Sequence, residues 1–178
     1  CEISHEPASS DALCNILAMS TTIPASTSTA DIAGTGIAVA EEEIRNVIES
    51  WAGAIRKKDV EGVVRHFAEE SVRFNLAPPL QTVANLSNDL KDWFATWRGE
   101  IGYEICDLHI HAAGDVAYTD SLNHLTGTKC NGEPDADVWF RVTLGFRQID
   151  DNWRISHEHE SVPFKMDGSF QAAIDLKP

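Results

Sequence analysis

Apolar side chains recur at steps of three and four residues in the stretch that begins at Glu41. The apolar positions are Ile44, Val47, Ile48, Trp51 and Ile55. This spacing is typical of the buried face of an amphipathic helix. Acidic residues at 41–43 and basic residues at 56–58 complement the helix dipole at its two ends. The pattern predicts a first helix that starts at Glu41 and ends near Lys58.

Two shorter helices are predicted after the first one. Asp59 is expected to cap the second helix, because its side chain can accept hydrogen bonds from free backbone N–H groups. The apolar face of this second helix consists of Val60, Val63, Val64 and Phe67. A third helix follows 77–80, with an apolar face made of Leu86, Leu90, Trp93, Phe94 and Trp97. Gly99 is expected to end it, since glycine favours the conformation that terminates helices.

Beyond Gly102 the apolar period changes to two residues. This alternation predicts strands at 103–111, 116–126, 137–149 and 153–161, separated by short turns. Helices followed by hairpin-linked strands are typical of an α+β fold with an antiparallel sheet, rather than of alternating βαβ units. The sequence contains no glycine-rich phosphate-binding motif of the GxGxxG or GxxxxGK[ST] type. A nucleotide-binding fold is therefore not expected.

The first forty residues show neither a helical nor a strand period and are rich in Ser, Thr, Ala and Gly. We interpret residues 1–40 as a flexible leader, 41–165 as one domain and 166–178 as a C-terminal tail. Met19 begins a stretch that is typical of a protein start, so residues 1–18 are expected to be foreign to the native product. Cys1 fits either the lipidated end of a processed lipoprotein or the edge of a fragment or over-extended reading frame, and we adopt the second interpretation.

The charge balance narrows the range of partners. The chain of 178 residues contains 14 basic and 28 acidic residues, which gives a net charge of −14. This sign opposes binding to phosphate backbones, so no nucleic acid partner is expected. No apolar run reaches the roughly 18 residues that a membrane-spanning helix requires, so no membrane partner is expected. The cysteines show neither metal-binding spacing nor a disulfide framework, which favours a cytoplasmic location.

Several short motifs follow one another along the chain. They are DVEG at 59–62, FAEES at 67–71, APP at 77–79 and WRISHEHESVPF at 153–164. Together with the order of helices and strands, these motifs resemble the NTF2-like superfamily, and more closely its SnoaL-like and ketosteroid-isomerase-related members. The resemblance covers about 41–164. The ending is also similar to the association domain of calmodulin-dependent kinase II.

The resemblance implies a cone, in which a strongly curved antiparallel sheet wraps one long and two shorter helices. It further implies an interior pocket for a small apolar or acidic molecule, and a homodimer formed through the sheet. The steroid isomerases use a tyrosine on the first helix and an aspartate that carries the proton. The resemblance places Trp51 and Asn75 at these two positions. Since an indole only donates and an amide takes up no proton at neutral pH, the isomerase mechanism itself is not supported.

The last predicted strand carries the strongest candidates for chemistry. Alternation places five residues on one of its faces, namely Trp153, Ile155, His157, His159 and Ser161. Because this face is apolar at its start, we expect it to point into the cone, beside Arg141 and Thr143 of the neighbouring strand. Imidazoles exchange protons near neutral pH, and a guanidinium can hold an enolate or carboxylate oxygen. The alternative is a polar seam in which the histidines only form hydrogen bonds.

The strand predicted at 116–126 adds further candidates. Tyr118, Asp120 and His124 share one of its faces, which the polarity of an exposed strand surface would also explain. Asp120 is the carboxylate that we consider as a substitute base. We assign His159, Asp120 and Arg141 as candidate catalytic residues. The candidate ligand contacts are Trp51, Asn75, Tyr118, Thr143, His157 and Ser161.

A metal site is the competing interpretation of the histidines. The spacing His-x-His occurs at 109–111 and again at 157–159, and alternate strand residues can present two ligands on one side. However, Leu108 and Ile110 are the expected inward residues of the first of these strands, so the two pairs are expected on different faces of the sheet. We therefore expect neither a metal nor a cofactor.

Two classes of function stay open. In the first, a SnoaL-like pocket accepts a cyclic or polyketide-like compound, and His159 with Asp120 or Arg141 assists a proton transfer of the isomerase or cyclase type. In the second, the domain is a non-catalytic NTF2-like module that binds a small acid or drives oligomerisation. A cavity that contains His159 and Arg141 would favour the first class, and a filled cone would favour the second.

Overall fold

The structure is a computed structural model that describes residues 29–130 and 132–178. The helices are α1 (Thr29–Arg56), α2 (Val60–Val64) and α3 (Leu86–Ala95). The strands are β1 (Phe67–Phe74), β2 (Trp97–Ala113), β3 (Val116–Lys129), β4 (Ala136–Ile149) and β5 (Asn152–Ser161). Over this range, no helix combines the length and the apolar character that crossing a membrane would require. The order of helices and strands confirms the predicted α+β class.

Helix α1 begins at Thr29, well before the predicted start at Glu41. Residues 29–40, which the pattern assigns to a flexible leader, form its first turns. Residues 34–39 are exposed, and an apolar period arises only where a helix face is buried, so the sequence carries no such signal there. The rest of the predicted leader lies outside the described residues. The prediction that residues 1–18 are foreign to the native product therefore stays a prediction.

The two shorter helices are close to their predicted positions, except that Phe67, which was predicted on the second helix, is the first residue of β1. Asp59 caps α2 as predicted, since its Oδ1 accepts a hydrogen bond of 2.9 Å from the backbone N–H of Gly62. Helix α3 ends before Trp97, where β2 begins, so the prediction that Gly99 ends the helix is wrong. Trp97 is buried and packs against Trp93, with 5.8 Å between ring centroids. Its burial imitates a continued helical period although it belongs to the strand.

The five strands form one sheet in the order β1-β5-β4-β3-β2. Strands β2 to β5 are antiparallel neighbours joined by short connections. Strand β1, in contrast, runs parallel to β5, so the sheet is mixed rather than entirely antiparallel as predicted. The parallel pair arises because the chain crosses from β1 through α3 and the meander before β5 returns beside it. The curved sheet and the helices form the cone that the resemblance implies.

Helix α1 packs against one face of the sheet, which we call the inner face; the opposite face is the outer face. Trp51 of α1 is 2% exposed and lies edge-on to Tyr103 of β2, with 5.6 Å between ring centroids. Four residues of β4 complete this part of the core, namely Phe140, Val142, Leu144 and Phe146. Burial of each such side chain stabilises the fold by about 1.5–3 kcal/mol. The core therefore lies between α1 and the concave side of the sheet.

Strand β5 contains one residue more than its partner β4 at one point along the ladder. Phe146 pairs with Ile155, whereas Gly145 pairs with His157, so Ser156 is left over. The Ser156 hydroxyl donates a hydrogen bond of 3.2 Å to the carbonyl oxygen of Gly145. An extra residue of this kind forms a β-bulge and reverses the alternation of side chains beyond it. Every residue of β5 after Ser156 therefore faces opposite to the direction that simple alternation predicts.

The C-terminal residues are tied to the sheet. The backbone N–H of Ala173 donates to the carbonyl of Pro163 at 2.8 Å, and Ala173 is 7% exposed. Near the end of the chain, the Lys177 ammonium group lies 2.8 Å from the Asp137 carboxylate of β4. The predicted tail thus lies against the domain.

Candidate functional site

The bulge in β5 turns its two histidines away from the interior. Ile155, ahead of the bulge, is fully buried on the inner face as predicted. Beyond it, Glu158 takes the inward position and is 7% exposed, while His157 and His159 project from the outer face and contact Phe74 of β1 there. The predicted inward orientation of the two histidines is wrong, because the sequence gives no sign of the unpaired residue.

Most of the predicted site residues are neighbours on the outer face. These residues are Tyr118, Asp120, Arg141, Thr143, His157, His159 and Ser161. Cross-strand pairing places Asp120 beside Thr143, and Thr143 beside His159. The Asp120 side chain is 54% exposed. The structure therefore brings the predicted residues together, but on the surface rather than in the hollow of the cone.

The two positions that the resemblance aligns with isomerase residues are separated. Trp51 is buried on α1 and faces the interior, as expected. Asn75 follows the last residue of β1 and is exposed. The structure thus retains Trp51 as an interior residue and leaves Asn75 at the end of the strand.

Both His-x-His pairs lie on the outer face, in contrast to the prediction that they face different sides. His109 is exposed as predicted, and its Nδ1 lies 3.1 Å from Asp120 Oδ2. The second pair joins the same face because the bulge reverses β5. Among residues 29–130 and 132–178, no group of three or more His, Cys, Asp or Glu side chains is arranged to hold a metal ion.

A chain of hydrogen bonds crosses the inner face from β3 to β2. The Ser121 hydroxyl donates to Asn123 Oδ1 at 2.8 Å, and Asn123 Nδ2 donates to the Tyr103 hydroxyl oxygen at 2.9 Å. Asn123 is fully buried and Tyr103 is 3% exposed. Because the Tyr103 oxygen accepts from the amide, its own proton is directed to a different acceptor. Tyr103 is therefore held as a hydrogen-bond donor inside the cone.

Two glutamates, separated by one intervening residue, lie on the inner side of β5. Burial and the neighbouring Glu160 charge raise the pKa of Glu158 to about 8, although the Arg73 guanidinium opposes this shift. Burial raises the pKa of Glu160 to about 7. Burial, followed by the charges of Glu160 and Glu158, also raises the pKa of Tyr103 well above its usual value. The three groups therefore share one electrostatic environment that favours their neutral forms.

Arg73 of β1 lies at the inner face beside this pair, in register with Glu158. It is 2% exposed, and its Nη2 donates to the carbonyl of Ala84 at 3.0 Å and to Asp89 of α3 at 3.2 Å. Its buried Nε has no hydrogen-bond partner. Since Asp89 already neutralises the guanidinium, Glu158 does not receive a full compensating charge.

The segment between β1 and α3 meets the open side of this cluster. The backbone N–H of Leu76 donates to Glu160 Oε2 at 3.3 Å. Further along, Thr82 forms an isolated bridge with Arg73, with backbone hydrogen bonds of 2.8 and 2.9 Å. Leu80 at its centre is 97% exposed. The segment 75–85 is thus anchored at both ends and is loosely packed between them.

Two cavities lie outside the cluster. One of about 590 Å³ opens between the first turns of α1 and the β4–β5 hairpin, against Glu43 and Trp153. Another of about 440 Å³ runs between α1 and β2. Neither is lined by His159 or Arg141, and neither is lined by the two inner glutamates.

The fold and its sequence can be compared with known proteins. The family model of the SnoaL-like domain matches residues 44–165. A solved NTF2-like protein of unknown function from Pseudomonas putida KT2440 is 32% identical to this chain, with a TM-score of 0.71. The alignment covers 79% of this chain and 98% of that protein. The chain belongs to the SnoaL-like family.

More distant structures share the fold of this family member. A ketosteroid isomerase-like protein from Erwinia carotovora atroseptica SCRI1043 is 17% identical, with a TM-score of 0.59, over 68% of this chain and 94% of its own length. An NTF2-like superfamily protein from Salmonella enterica serovar Typhimurium LT2 is 18% identical, with a TM-score of 0.63, over 75% and 98%. No protein with a curated function matches the sequence significantly. The likeness at this distance concerns the architecture alone.

The sequence pattern does not predict the inner residues of β5 in this SnoaL-like domain, and the reason is physical. After Ile155, β5 contains no large apolar side chain, so alternation alone decides which residues are assigned to the inside. One bulge then exchanges the histidines for Glu158 and Glu160. Tyr103 is missed for a similar reason, because alternation from the expected inward residues Leu108 and Ile110 places it outward, and the register shift between Cys106 and His109 reverses this.

Proposed function

We propose that this SnoaL-like domain moves a proton on a small carbonyl compound bound inside the cone. Glu160 is the group that takes up and returns the proton, and Tyr103 donates a hydrogen bond to the carbonyl oxygen. The observation that carries the proposal is that Glu158, Glu160 and the oriented Tyr103 hydroxyl share the inner face, where the charges of both glutamates raise the pKa of Tyr103. This deepens the isomerase or cyclase hypothesis and moves it from the histidines to the glutamates.

The protonation behaviour of Glu160 suits this role. A general base acts best when its pKa lies near the working pH, since it is then present as carboxylate yet still holds a proton after abstraction. The pKa of about 7 satisfies this condition. Glu158, with a pKa of about 8, is largely protonated at neutral pH and so does not add a second full charge. The pair therefore provides one base and one neutral neighbour.

The hydrogen-bond chain behind Tyr103 suits its role as donor. In the proposed step, a proton leaves the carbon next to the carbonyl for the Glu160 carboxylate, and negative charge develops on the carbonyl oxygen. The Tyr103 O–H, fixed by Asn123, would stabilise that oxygen. In a β,γ-unsaturated ketone, return of the proton from Glu160 to the γ-carbon moves the double bond next to the carbonyl, which completes an isomerisation and leaves the enzyme unchanged.

The surroundings favour an uncharged, largely apolar substrate. Trp51 and Phe140 lie against Tyr103 and, like it, are buried, so they offer aromatic surfaces to a ring system once the interior opens. An anionic group next to the two glutamates would be repelled when they ionise. A cyclic or polyketide-like ketone meets both conditions. Its entry requires the segment 75–85 to move away from Glu160.

The proposal is tested with cyclic ketones, starting with β-tetralone. Deuterium uptake at the carbon next to the carbonyl is followed by NMR in deuterated buffer. We expect exchange catalysed by the wild type to increase with pH through about 7, as the Glu160 carboxylate forms. Glu160→Gln should slow it by about a hundredfold or more. Tyr103→Phe should slow it by at least about tenfold.

The matched control is Glu70→Gln on β1, an exposed carboxylate on the same sheet. It should exchange the ketone as fast as the wild type. The proposal fails if Glu160→Gln retains the wild-type rate, or if none of a panel of cyclic and polycyclic ketones exchanges faster with protein than without it.

The second candidate is a non-catalytic module that acts through a homodimer, and one observation favours it. The outer face exposes Tyr118, at 52%, together with Arg141 and the stack of His124 on Trp139, whose ring centroids are 4.4 Å apart. Tyrosine, tryptophan and arginine are enriched in protein interfaces. Under this candidate, two copies meet through these outer faces.

A further inference from the structure

We propose that the groove between α1 and β2 binds an elongated molecule with a carboxylate at each end, such as a long-chain dicarboxylic acid. The groove has a volume of about 440 Å³. It is separate from the inner glutamates, so this inference stands or falls independently of the proposed proton transfer.

The floor of the groove is apolar. Ile48 and Ala52 line it on the helix side but are themselves buried, and its accessible apolar surface comes from the partly exposed Ile105 and Leu108 on the strand side. On β2 these last two positions would face opposite ways in a regular strand. A register shift between Cys106 and His109 brings both toward α1. Ile105 and Leu108 can therefore contact the middle of a hydrocarbon chain.

An arginine stands toward each end of the floor. Arg45 and Arg56 both line the groove and are exposed. In the part of the chain that the structure describes, neither guanidinium forms an ion pair. Arg56 Nε donates to the carbonyl oxygen of Tyr103 at 2.8 Å, which fixes its side chain over the strand and leaves its terminal nitrogens available. In a protein with twice as many acidic as basic residues, two such cations in one groove favour an anionic ligand.

The spacing of the charges selects the shape of the ligand. Arg45 and Arg56 are separated by three turns of α1, which is roughly 16 Å along the helix axis. Guanidinium groups bind carboxylates through paired hydrogen bonds. Glu49, which also lines the groove, lies between them and would repel a negative charge at the centre. The arrangement therefore matches acidic ends and an uncharged middle.

The experiment is isothermal titration of dodecanedioate, decanoate and butanedioate into the whole protein, with backbone amide NMR shifts to locate binding. We expect dodecanedioate to bind more tightly than decanoate, which has one acidic end, and butanedioate not to bind, because it spans only one arginine. Shifts should be largest at Ile48, Ala52, Ile105 and Leu108. Affinity should decrease as salt increases.

Variants test the two ends. Arg45 makes no hydrogen bond among the described residues, so Arg45→Gln should fold normally and weaken dodecanedioate binding by about tenfold. Arg56→Gln should have a similar effect, and its thermal unfolding is measured in parallel because it also loses the bond to Tyr103. Glu49→Gln should tighten binding several-fold. Arg147→Gln, a matched loss of one exposed arginine on β4, should leave the affinity unchanged.

Three results would overturn the inference: equal binding by Arg45→Gln and wild type, equal binding of decanoate and dodecanedioate, or NMR shifts confined to residues outside the groove. Glu160→Gln distinguishes this site from the proposed catalytic one. It should bind dodecanedioate like the wild type even if it loses all ketone exchange.

Discussion

Glu158 and Glu160 are separated by one residue on β5, and the charges of both raise the pKa of Tyr103. A carboxyl group that is buried without a dedicated cation is more stable when it keeps its proton. Arg73 is close enough to oppose this effect, but it is already engaged by Asp89 and by the carbonyl of Ala84. The proton on Glu158 is therefore part of the folded state, and its loss is linked to stability.

This linkage predicts how stability depends on pH. The folded pKa of Glu158, about 8, exceeds the value of 4.5 from which it is raised, so the folded protein holds a proton that the unfolded chain has released across this window. The stabilisation is fully present below about 4.5 and is lost as the pH rises through about 8. Glu158→Gln stays uncharged and should lose less stability between pH 5 and pH 8 than the wild type, by roughly 3–4 kcal/mol.

Urea unfolding at both pH values measures this difference. Glu70→Gln, on the exposed side of β1, should keep the wild-type dependence on pH. Parallel pH dependences for wild type and Glu158→Gln would show that Glu158 is ionised in the folded protein at pH 5.

At the scale of the element, the bulge in β5 decides which side chains face the interior. Leu144 pairs with Glu158, and cross-strand partners share one face, so the inward position of Leu144 requires the same of Glu158. Ser156 is the extra residue of β5, which has no partner on β4. Its own contribution is a local bend and the hydrogen bond to Gly145.

Deleting Ser156 should therefore be tolerated. Ile155 would then precede His157 directly, and the ladder would become regular while Glu158 stays inward. We expect a loss of about 1–2 kcal/mol, from the lost hydrogen bond and bend. Thermal unfolding followed by circular dichroism should show one cooperative transition.

The matched control deletes Thr143 from the regular part of β4. This deletion moves the buried residues on one side of position 143 to the outer face. We therefore expect the variant to show no cooperative unfolding transition. If the two deletions destabilise the protein equally, Ser156 is an integral part of the ladder.

The same element marks the limit of what the sequence predicts. Helical spacing around Trp51, the cap at Asp59 and the strand alternation of β3 and β4 are local patterns, and the structure has all three. The parallel pairing of β1 with β5 is a long-range choice that no local pattern specifies. The bulge at Ser156 is local, but it leaves no signal in the sequence pattern, because the polar residues around it could lie on either face. Because the bulge could not be predicted, the candidate site was assigned to the wrong side of the sheet.

At the scale of the whole molecule, the outer face is a broad surface of the sheet that the described helices leave uncovered. The protein has a net charge of −14, which opposes close approach of two copies. Arg141 lessens this repulsion locally. If two copies meet through their outer faces, contact near Arg141 at the centre of the sheet is therefore favoured over contact at its periphery.

We expect the wild type to sediment as a dimer, and Arg141→Glu to shift it to monomer, because two acidic side chains would then face each other near the symmetry axis. Lys57→Glu, at the end of α1, makes the same change in charge on the opposite side of the fold and should remain dimeric. A monomeric wild type at micromolar concentration, or a dimeric Arg141→Glu, would contradict the outer-face dimer.

One residue at position 156 also governs how this chain should be aligned with its relatives. A relative that lacks the extra residue needs a gap there. Without that gap, each imidazole of this chain is matched to a position that holds a carboxyl in space, and roles transferred between homologues land on the wrong surface. A length difference of one, which is commonly dismissed inside a strand, thus becomes the first feature to inspect before any functional residue is carried over.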